Sequence, residues 1–349
     1  MDTLTNFGWT DKNQLEWDGL NTPSAHPARV VADFGTSLKI ATPKILTAEL
    51  SGKLAHYTNR DKTPKVGDWV SVTISDNSTV VESVICRSNE IARKVAGKRT
   101  MKQVIAANVD IAFILLALDN DFSIERLNRF LYQLSVSSIE PVLVLNKADK
   151  TDNLQFYIDQ LGQLSIPTII TIATEGSGIE EIASRIKPRK TAILLGSSGV
   201  GKSTLTNKLL GRNAQGTNSV KDSDGTRKHT TVHRELFILP NNGILIDTPG
   251  IRELQLWGTG EELEVNYDDI ADLASKCRYS DCRHTSELGC MINSALNDGT
   301  LDTKHYNNYI KMKHELRQLV ANNSEKIRQN KRRISRNKKD KQDTADDDF

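Results

Sequence analysis

The chain is short of cysteine and of long apolar runs, and each shortage closes off a class of protein. Only four cysteines occur in 349 residues, too few for the disulfide framework of a small secreted domain. Three of them crowd between Cys277 and Cys290, which suits a reducing compartment, so a cytoplasmic location is expected. No apolar stretch approaches the roughly 18 residues that a membrane-spanning helix requires, and no membrane partner is expected. The segment from Met1 to Asp18 is polar and lacks the apolar stretch of a secretory signal, so none is expected. Internal repeats are absent, and low complexity is confined to one basic run.

A hydrophobic content of 38% and a charged content of 26% are ordinary for a water-soluble globular chain. The length exceeds what one compact core usually serves, so two or three domains are expected. A net charge of +2 conceals an asymmetry. From Lys326 to Lys341 the sequence reads KIRQNKRRISRNKKDK, with Asp340 its sole acid, and Asp346, Asp347 and Asp348 follow. Such a run is either a solvated tail or a contact for nucleic-acid phosphates.

Residues 28–90 read as a β-rich module. Stretches rich in β-branched residues recur at Arg29–Phe34, Asp68–Ile74 and Val80–Ile85, with Gly, Pro, Asn and Asp between them. Short strands must hide their edges, so a small closed barrel is expected, of OB-fold or SH3-like type. From Asn108 the texture changes. Apolar runs at Val109–Leu118, Pro141–Leu145, Ile166–Ile172, Thr191–Leu195 and Gly243–Ile246 alternate with amphipathic stretches such as Ile124–Leu134. Continuous apolar strands separated by helices predict a parallel sheet buried on both faces, with ligands at the carboxyl ends of its strands. After Trp257 the chain reads as helical and polar. The expected division is therefore a barrel over 1–95, an α/β domain over 96–256 and an α-rich domain with a basic tail over 257–349.

Three motifs sit at strand ends. Gly196-Ser197-Ser198-Gly199-Val200-Gly201-Lys202-Ser203 follows the strand Ala192–Leu195 and opens a helix through Thr204, the context of a P-loop. Its backbone N–H groups would wrap phosphates, Lys202 would reach the β- and γ-phosphates, and Ser203 would ligate magnesium. Asn146-Lys147-Ala148-Asp149 ends the strand Val142–Leu145. The Asp149 carboxylate can accept from both N1–H and the N2 amine of guanine, a pair that adenine does not offer, so GTP and GDP are the expected ligands. Lys147 would lie over the base, and Asn146 would tie this loop to the P-loop. Asp247-Thr248-Pro249-Gly250 ends the strand Ile244–Ile246; Asp247 would hold magnesium and the Gly250 N–H would sense the γ-phosphate. Between these motifs, the polar stretch Gly216–Thr231 is where a switch loop must lie. Either Thr230 or Thr231 would complete the magnesium shell. Ile251 stands where Ras-type enzymes carry a water-orienting Gln, so turnover is slow or another group places the water, and His229 is the candidate.

The order of the motifs is reversed relative to Ras-like GTPases: the guanine motif at 146 precedes the P-loop at 196 and Asp247. A circularly permuted G domain accounts for this, with Thr171–Gly178 supplying the backbone that closes over guanine. A fourth constellation is Cys277, Cys282, His284 and Cys290. Three thiols and an imidazole match the ligand set of a closed structural zinc site, one zinc per chain. Cys86 lies far from it and reads as a buried residue.

On these residues the chain resembles the small-ribosomal-subunit-dependent GTPases of the RsgA (YjeQ) type over about residues 28–320. The resemblance also rests on Val66-Gly67-Asp68-Trp69-Val70, Ala106-Ala107-Asn108-Val109-Asp110, Lys228-His229-Thr230-Thr231 and Glu287-Leu288-Gly289-Cys290. It departs from the family at Leu288, where Pro is usual, and in the guanine-closing loop. It implies an OB-fold, a permuted G domain and a zinc domain; a monomer is expected. It further implies GTP hydrolysis stimulated by the small subunit, release of a late assembly factor, a catalytic His229, and rRNA contacts by the barrel and basic tail. A nucleic-acid-binding scaffold that merely uses GTP as a lock, and a P-loop phosphotransferase, are the alternatives; no acceptor-substrate signature supports the latter.

Overall fold

The computed structural model describes the chain except Met1, Asn21, Pro23, 56–62, Cys86, 96–100, Asn120, Gln163, Ser165, 213–233, 249–254 and 347–349. Two compact units are present, one of Met1–Arg93 with Lys102–Leu254, the other of Lys94–Met101 with Gln255–Phe349.

The first unit begins with two helices, α1 (Asp2–Asn6) and α2 (Asp11–Gly19), the latter closed by a reciprocal Thr10–Asn13 capping box. Five strands then form a closed barrel: β1 (His26–Asp33), β2 (Leu38–Ala41), β3 (Ile45–Leu50), β4 (Trp69–Ile74) and β5 (Thr79–Val84). The order is β1-β2-β3-β5-β4, and β4 closes back on β1. With helix α3 (Gly52–Ala55) between β3 and β4, this is the OB-fold rather than the SH3-like alternative. Alternate residues fill the interior, among them Val30, Leu38, Ile40, Val70, Val72 and Val81. The strands β2 and β3 were not among the expected stretches. Their apolar residues are interrupted by Lys39, Thr47 and Glu49, because only one face of each is buried.

A two-stranded ribbon of β6 (Glu90–Lys94) and β7 (Lys102–Ala107) leads into the α/β layer. Its elements are β8 (Ile111–Ala117), α4 (Ile124–Val136), β9 (Glu140–Asn146), α5 (Leu154–Leu161), β10 (Thr168–Thr171), α6 (Ile179–Arg185), β11 (Thr191–Leu195), α7 (Lys202–Leu210), β12 (Arg234–Ile238) and β13 (Ile244–Asp247). The strand order is β10-β9-β8-β11-β13-β12, parallel except for β12. All of β8 and β11 is buried, and their residues alternate between two cores. Ala112, Ile114, Leu116, Ile193 and Leu195 face Leu127, Phe130 and Leu134 of α4. Phe113, Leu115, Ala192 and Leu194 face Ile182 of α6 and Leu205 and Leu209 of α7. Continuous apolar runs are the sequence image of this two-sided burial.

Barrel and sheet are continuous, since β1 pairs antiparallel with β12 at Ala32–Glu235 and Asp33–Arg234. Arg29 of β1 strengthens the junction. Its guanidinium, 1% exposed, donates to the carbonyls of Phe7, Gly67 and Asn108 and, at 2.9 Å, to Thr191 Oγ1 at the start of β11. Trp69 lies beneath it, 5.0 Å away. Burial pulls this guanidinium down to about 10, and the dense set of acceptors, with the nearby charges of Asp110 and Asp68, makes so buried a cation tolerable. The motifs around 67 and 108 serve the same junction. A Cβ on Gly67 (φ +91°) would stand 2.1 Å from the Ala107 carbonyl oxygen, while Asn108 Nδ2 donates to the Gly67 carbonyl at 3.0 Å. Asp68 is fully buried and accepts from Arg87 Nε and Nη2, each at 2.7 Å.

The second unit is α-rich: α8 (Leu263–Asn266), α9 (Asp268–Ser275), α10 (Met291–Asp298) and α11 (Thr303–Asp346). Tyr267, Ile270, Ile292, Met312 and Leu316 form its core. The basic run lies on the helical backbone of α11.

Candidate nucleotide site and candidate metal centre

The carboxyl ends of β8, β9, β11 and β13 converge, as parallel-sheet topology requires, and each carries a polar motif. The loop after β11, Gly196 to Gly201, opens α7, whose first residues present unpaired backbone N–H groups to an anion. Gly196, Ser197 and Val200 are buried, Ser198 and Gly199 are exposed, and Ser203 and Thr204 are half-buried on the first turn of α7. The Lys202 side chain folds back along the loop, donating to the Gly196 carbonyl at 2.9 Å and the Ser197 carbonyl at 2.6 Å.

Asn146 ends β9 and is 2% exposed. Its Nδ2 donates to the Val200 carbonyl at 2.8 Å, joining the guanine motif to the P-loop. Its Oδ1 accepts from Thr171 Oγ1 at 2.9 Å and from the Ala173 N–H at 3.1 Å, so Thr171–Gly178 is held to the same side chain. Gly201 (φ +109°) must lack a side chain, because a Cβ there would meet Asn146 Nδ2 at 2.2 Å. Lys147 takes a left-handed conformation (φ +62°) that turns the chain into a short 3-10 turn over Ala148–Lys150. The Asp149 carboxylate is accessible there and pairs with the Lys150 ammonium at 3.1 Å.

Asp247 closes β13, is buried, and neighbours Lys202 electrostatically. Thr248 beside it donates to the Leu194 carbonyl at 2.8 Å, fixing this strand end against β11. Burial pushes the Asp247 carboxyl up to about 6, and burial pulls the Lys202 ammonium down to about 8, the pair partly supporting each other's charge. For both groups the shift records a cost of holding charge. The Asp247 contribution favours folding at low pH and is lost as pH rises from 3.8 through about 6. The Lys202 penalty is relieved as pH rises above about 8. The arrangement offers an anion cradle with a buried ammonium beside a buried carboxylate, the chemistry of a phosphate and a divalent cation. His229, Thr230, Thr231 and Gly250 lie outside the described residues, as does Ile251.

The motif reading missed two acids in the loop between β8 and α4. Asp119 Oδ2 accepts from Lys147 Nζ at 2.8 Å. Asp121 Oδ2 accepts from the Ser197 hydroxyl and Asp121 is bound by both arms of Arg126, at 2.8 and 2.9 Å. Burial works against both carboxylates, but these hydrogen bonds hold both below the usual range. Their position just past a buried parallel strand was the available signal.

In the second unit Cys277 follows α9, Cys290 caps α10, and Cys282 and His284 lie on the loop between. The four donor atoms lie within 4.8 Å of one another, with His284 Nδ1 3.6 Å from Cys277 Sγ and 3.5 Å from Cys290 Sγ. Zinc–sulfur and zinc–nitrogen bonds of about 2.3 and 2.0–2.1 Å at the tetrahedral angle imply a sulfur–nitrogen edge of about 3.6 Å. The residues therefore fit a tetrahedral metal. Glu287 braces the loop, its carboxylate accepting from the N–H groups of Arg283, Thr285 and Ser286 at 2.8–3.1 Å; Leu288 points to solvent, so its departure from the family pattern leaves the cluster untouched.

Comparison with known proteins agrees with this geometry. The family model described as RsgA GTPase matches residues 84–257. The small ribosomal subunit biogenesis GTPase RsgA of Opitutus terrae is 36% identical over 328 residues, covering 90% of this chain and 89% of that protein. Its counterpart in Xanthomonas axonopodis pv. citri is 35% identical over 344 residues, covering 95% and 93%. The crystal structure of YjeQ from Thermotoga maritima matches with a TM-score of 0.59 at 25% identity, over 84% of this chain and 98% of that one. YloQ, a circularly permuted GTPase, matches in fold with a TM-score of 0.55 at 22% identity, over 85% and 97%.

A divalent cation held on Asp247 must displace the proton that burial retains there. Affinity for magnesium-loaded GDP, corrected for protonation of the nucleotide itself, is expected to be steady near neutral pH. Below about 6 it should fall by up to about tenfold per pH unit. Titration with a fluorescent nucleotide measures this, and a flat profile down to about pH 5 would contradict the assignment.

Proposed function

The chain belongs to the RsgA GTPase family, a GTP-hydrolysing enzyme by that membership, and from that premise we propose that it acts on the small ribosomal subunit late in its maturation. On this reading the subunit stimulates hydrolysis of GTP to GDP and phosphate, and hydrolysis promotes release of an assembly factor. The names of the relatives support the subunit as partner, and the Asn146 bridge, which joins the 146–149 and 196–203 segments although they lie in reversed chain order, supports the nucleotide site.

We assign the residues as follows. Asp149 accepts from the guanine edge, Lys147 covers the base, and Ala148 and the loop from Thr171 complete its surroundings. The N–H groups of Ser198 to Thr204 and the Lys202 ammonium hold the phosphates. Ser203, Asp247 and one of Thr230 and Thr231 hold magnesium, which when bound neutralises phosphate charge and polarises the γ-phosphate. Gly250 donates to the γ-phosphate, and His229 orients the attacking water, since Ile251 cannot. Lys202 supplies positive charge where negative charge gathers in the transition state.

The division into a barrel over 1–95, a G domain over 96–256 and a zinc domain over 257–349 belongs to the same proposal, as do a monomeric state and a cytoplasmic location. Among the described residues no helix is long and apolar enough to cross a membrane. The barrel and the basic stretch of α11 are assigned to rRNA, whose phosphates such a charge run meets. Cys277, Cys282, His284 and Cys290 are assigned one structural zinc, because all four positions of a tetrahedron are taken by protein.

Two outcomes are expected. GTP hydrolysis should be slow for the isolated chain and rise by orders of magnitude when purified small subunits are added at low salt; no rise would refute the subunit-dependent reading. Metal analysis should find zinc near one equivalent, and Cys290→Ser or chelation should lower the thermal stability of the second unit. A zinc-free chain with unchanged stability would remove the metal assignment.

A further inference from the structure

The loop from Leu118 to Ser123 is the one strand-end loop of the converging set that the proposed roles leave unused. It is built with care. The Leu118 N–H donates to the Asn146 carbonyl at 2.9 Å, which seats the loop beside the guanine motif. Asp119 uses one carboxylate oxygen for Lys147 Nζ, at 2.8 Å, and the other for the backbone N–H of Asp121, at 2.9 Å. Asp121 in turn accepts from the Arg126 guanidinium on both carboxylate oxygens and from the Ser197 hydroxyl of the P-loop on Oδ2, and Arg126 also donates to the Asp121 carbonyl at 3.0 Å. Arg126 sits on the first turn of α4, where Ser123 accepts from its N–H.

An uninterrupted chain of charge-assisted bonds thus runs Lys147–Asp119–Asp121–Ser197, anchored by Arg126. Its two ends are on the two halves of the nucleotide site: one on the lysine that would lie over guanine, the other on the loop that would wrap the phosphates. Resting on the GTP-site reading above, we propose that Asp119 and Asp121 are positioning residues that set Lys147 against the base and Ser197 within the P-loop, so that the base and phosphate halves of the site are formed together. Neither acid touches the nucleotide in this role. A structural purpose confined to the loop would need only the Asx turn of Asp119 and the Asp121–Arg126 pair. It leaves unexplained why Asp119 spends its second oxygen on Lys147 and why Asp121 Oδ2, already bound by Arg126, also accepts from Ser197.

Double-mutant cycles on the full chain test this. In Asp119→Asn the amide oxygen can keep the Asp121 N–H while the amide nitrogen meets Lys147 with no acceptor, so the loop turn survives and only the reach to Lys147 is lost. Dissociation constants for GDP and GTP should both rise about fivefold, the upper end for a half-exposed ion pair. Lys147→Ala should lose at least as much, and the double variant should be no weaker than Lys147→Ala alone. The second cycle, Asp121→Asn with Ser197→Ala, should show the same non-additivity, and melting temperatures of Asp119→Asn and Ser197→Ala should stay near that of the parent. Additive losses in both cycles, or unchanged affinity in Asp119→Asn, would overturn the proposal while leaving the GTPase reading standing. A parent chain that binds no guanine nucleotide would overturn both.

Discussion

The buried carboxamide of Asn146 is the constraint around which the nucleotide site is assembled. It satisfies the Val200 carbonyl in the P-loop and accepts from Thr171 at the end of β10 and Ala173 in the loop that follows. Each partner is a group at a strand end that water cannot readily serve. A buried polar group left unpaired costs about 1–3 kcal/mol, so the three loops are stable only in register with one another. Chain order has no part in this requirement. The P-loop follows the guanine motif in sequence, yet β9, β8 and β11 stand side by side, and the same bonds close. Permutation is tolerated because the site is defined by neighbours in the sheet. The steric demand at Gly201, where any side chain would displace Asn146, expresses the same constraint from the other side.

The barrel contributes through rigidity. Pairing of β1 with β12 makes one continuous sheet of eleven strands, and β12 leads directly into β13 and Asp247. Arg29 locks the junction by satisfying acceptors on the N-terminal segment, the barrel and the start of β11. A buried charge stripped of its hydrogen-bond partners is strongly disfavoured, so the junction depends on these acceptors staying in place. The barrel is therefore continuous, through hydrogen-bonded strands, with the strand that ends in Asp247.

Much of this was legible in the sequence, and the reasons differ by element. Strands β8, β9, β11 and β13 are buried on both faces and read as unbroken apolar runs. Strands β2 and β3 are buried on one face only; Lys39, Thr47 and Glu49 break the pattern, and they were missed. Strand β12, Arg234–Ile238, lies on the side of β13 away from the parallel strands and was missed for a related reason, since Arg234 and Glu235 mask its apolar half. That the segments at 146–149, 196–203 and 247 meet at neighbouring strand ends, and that the cysteines cluster with His284, was legible because these segments carry fixed residue types at fixed spacing. Asp119 and Asp121 were not, because the partners they bond, Lys147 and Ser197, lie 28 and 76 residues away. Contacts of that range leave no local pattern.

The central claim is that strand-end loops in permuted order form one guanine-selective site, with Asp149 as the reader of the base. The most direct measurement is the ratio of GDP to XDP affinity in the parent chain and in Asp149→Asn. The substitution replaces one acceptor by a donor, matching the carbonyl that xanthine carries in place of the guanine amine. The account predicts strong preference for GDP in the parent and a reversal towards XDP in the variant, each by at least about tenfold. Equal affinities in the parent, or a variant with unchanged preference for GDP, would contradict it.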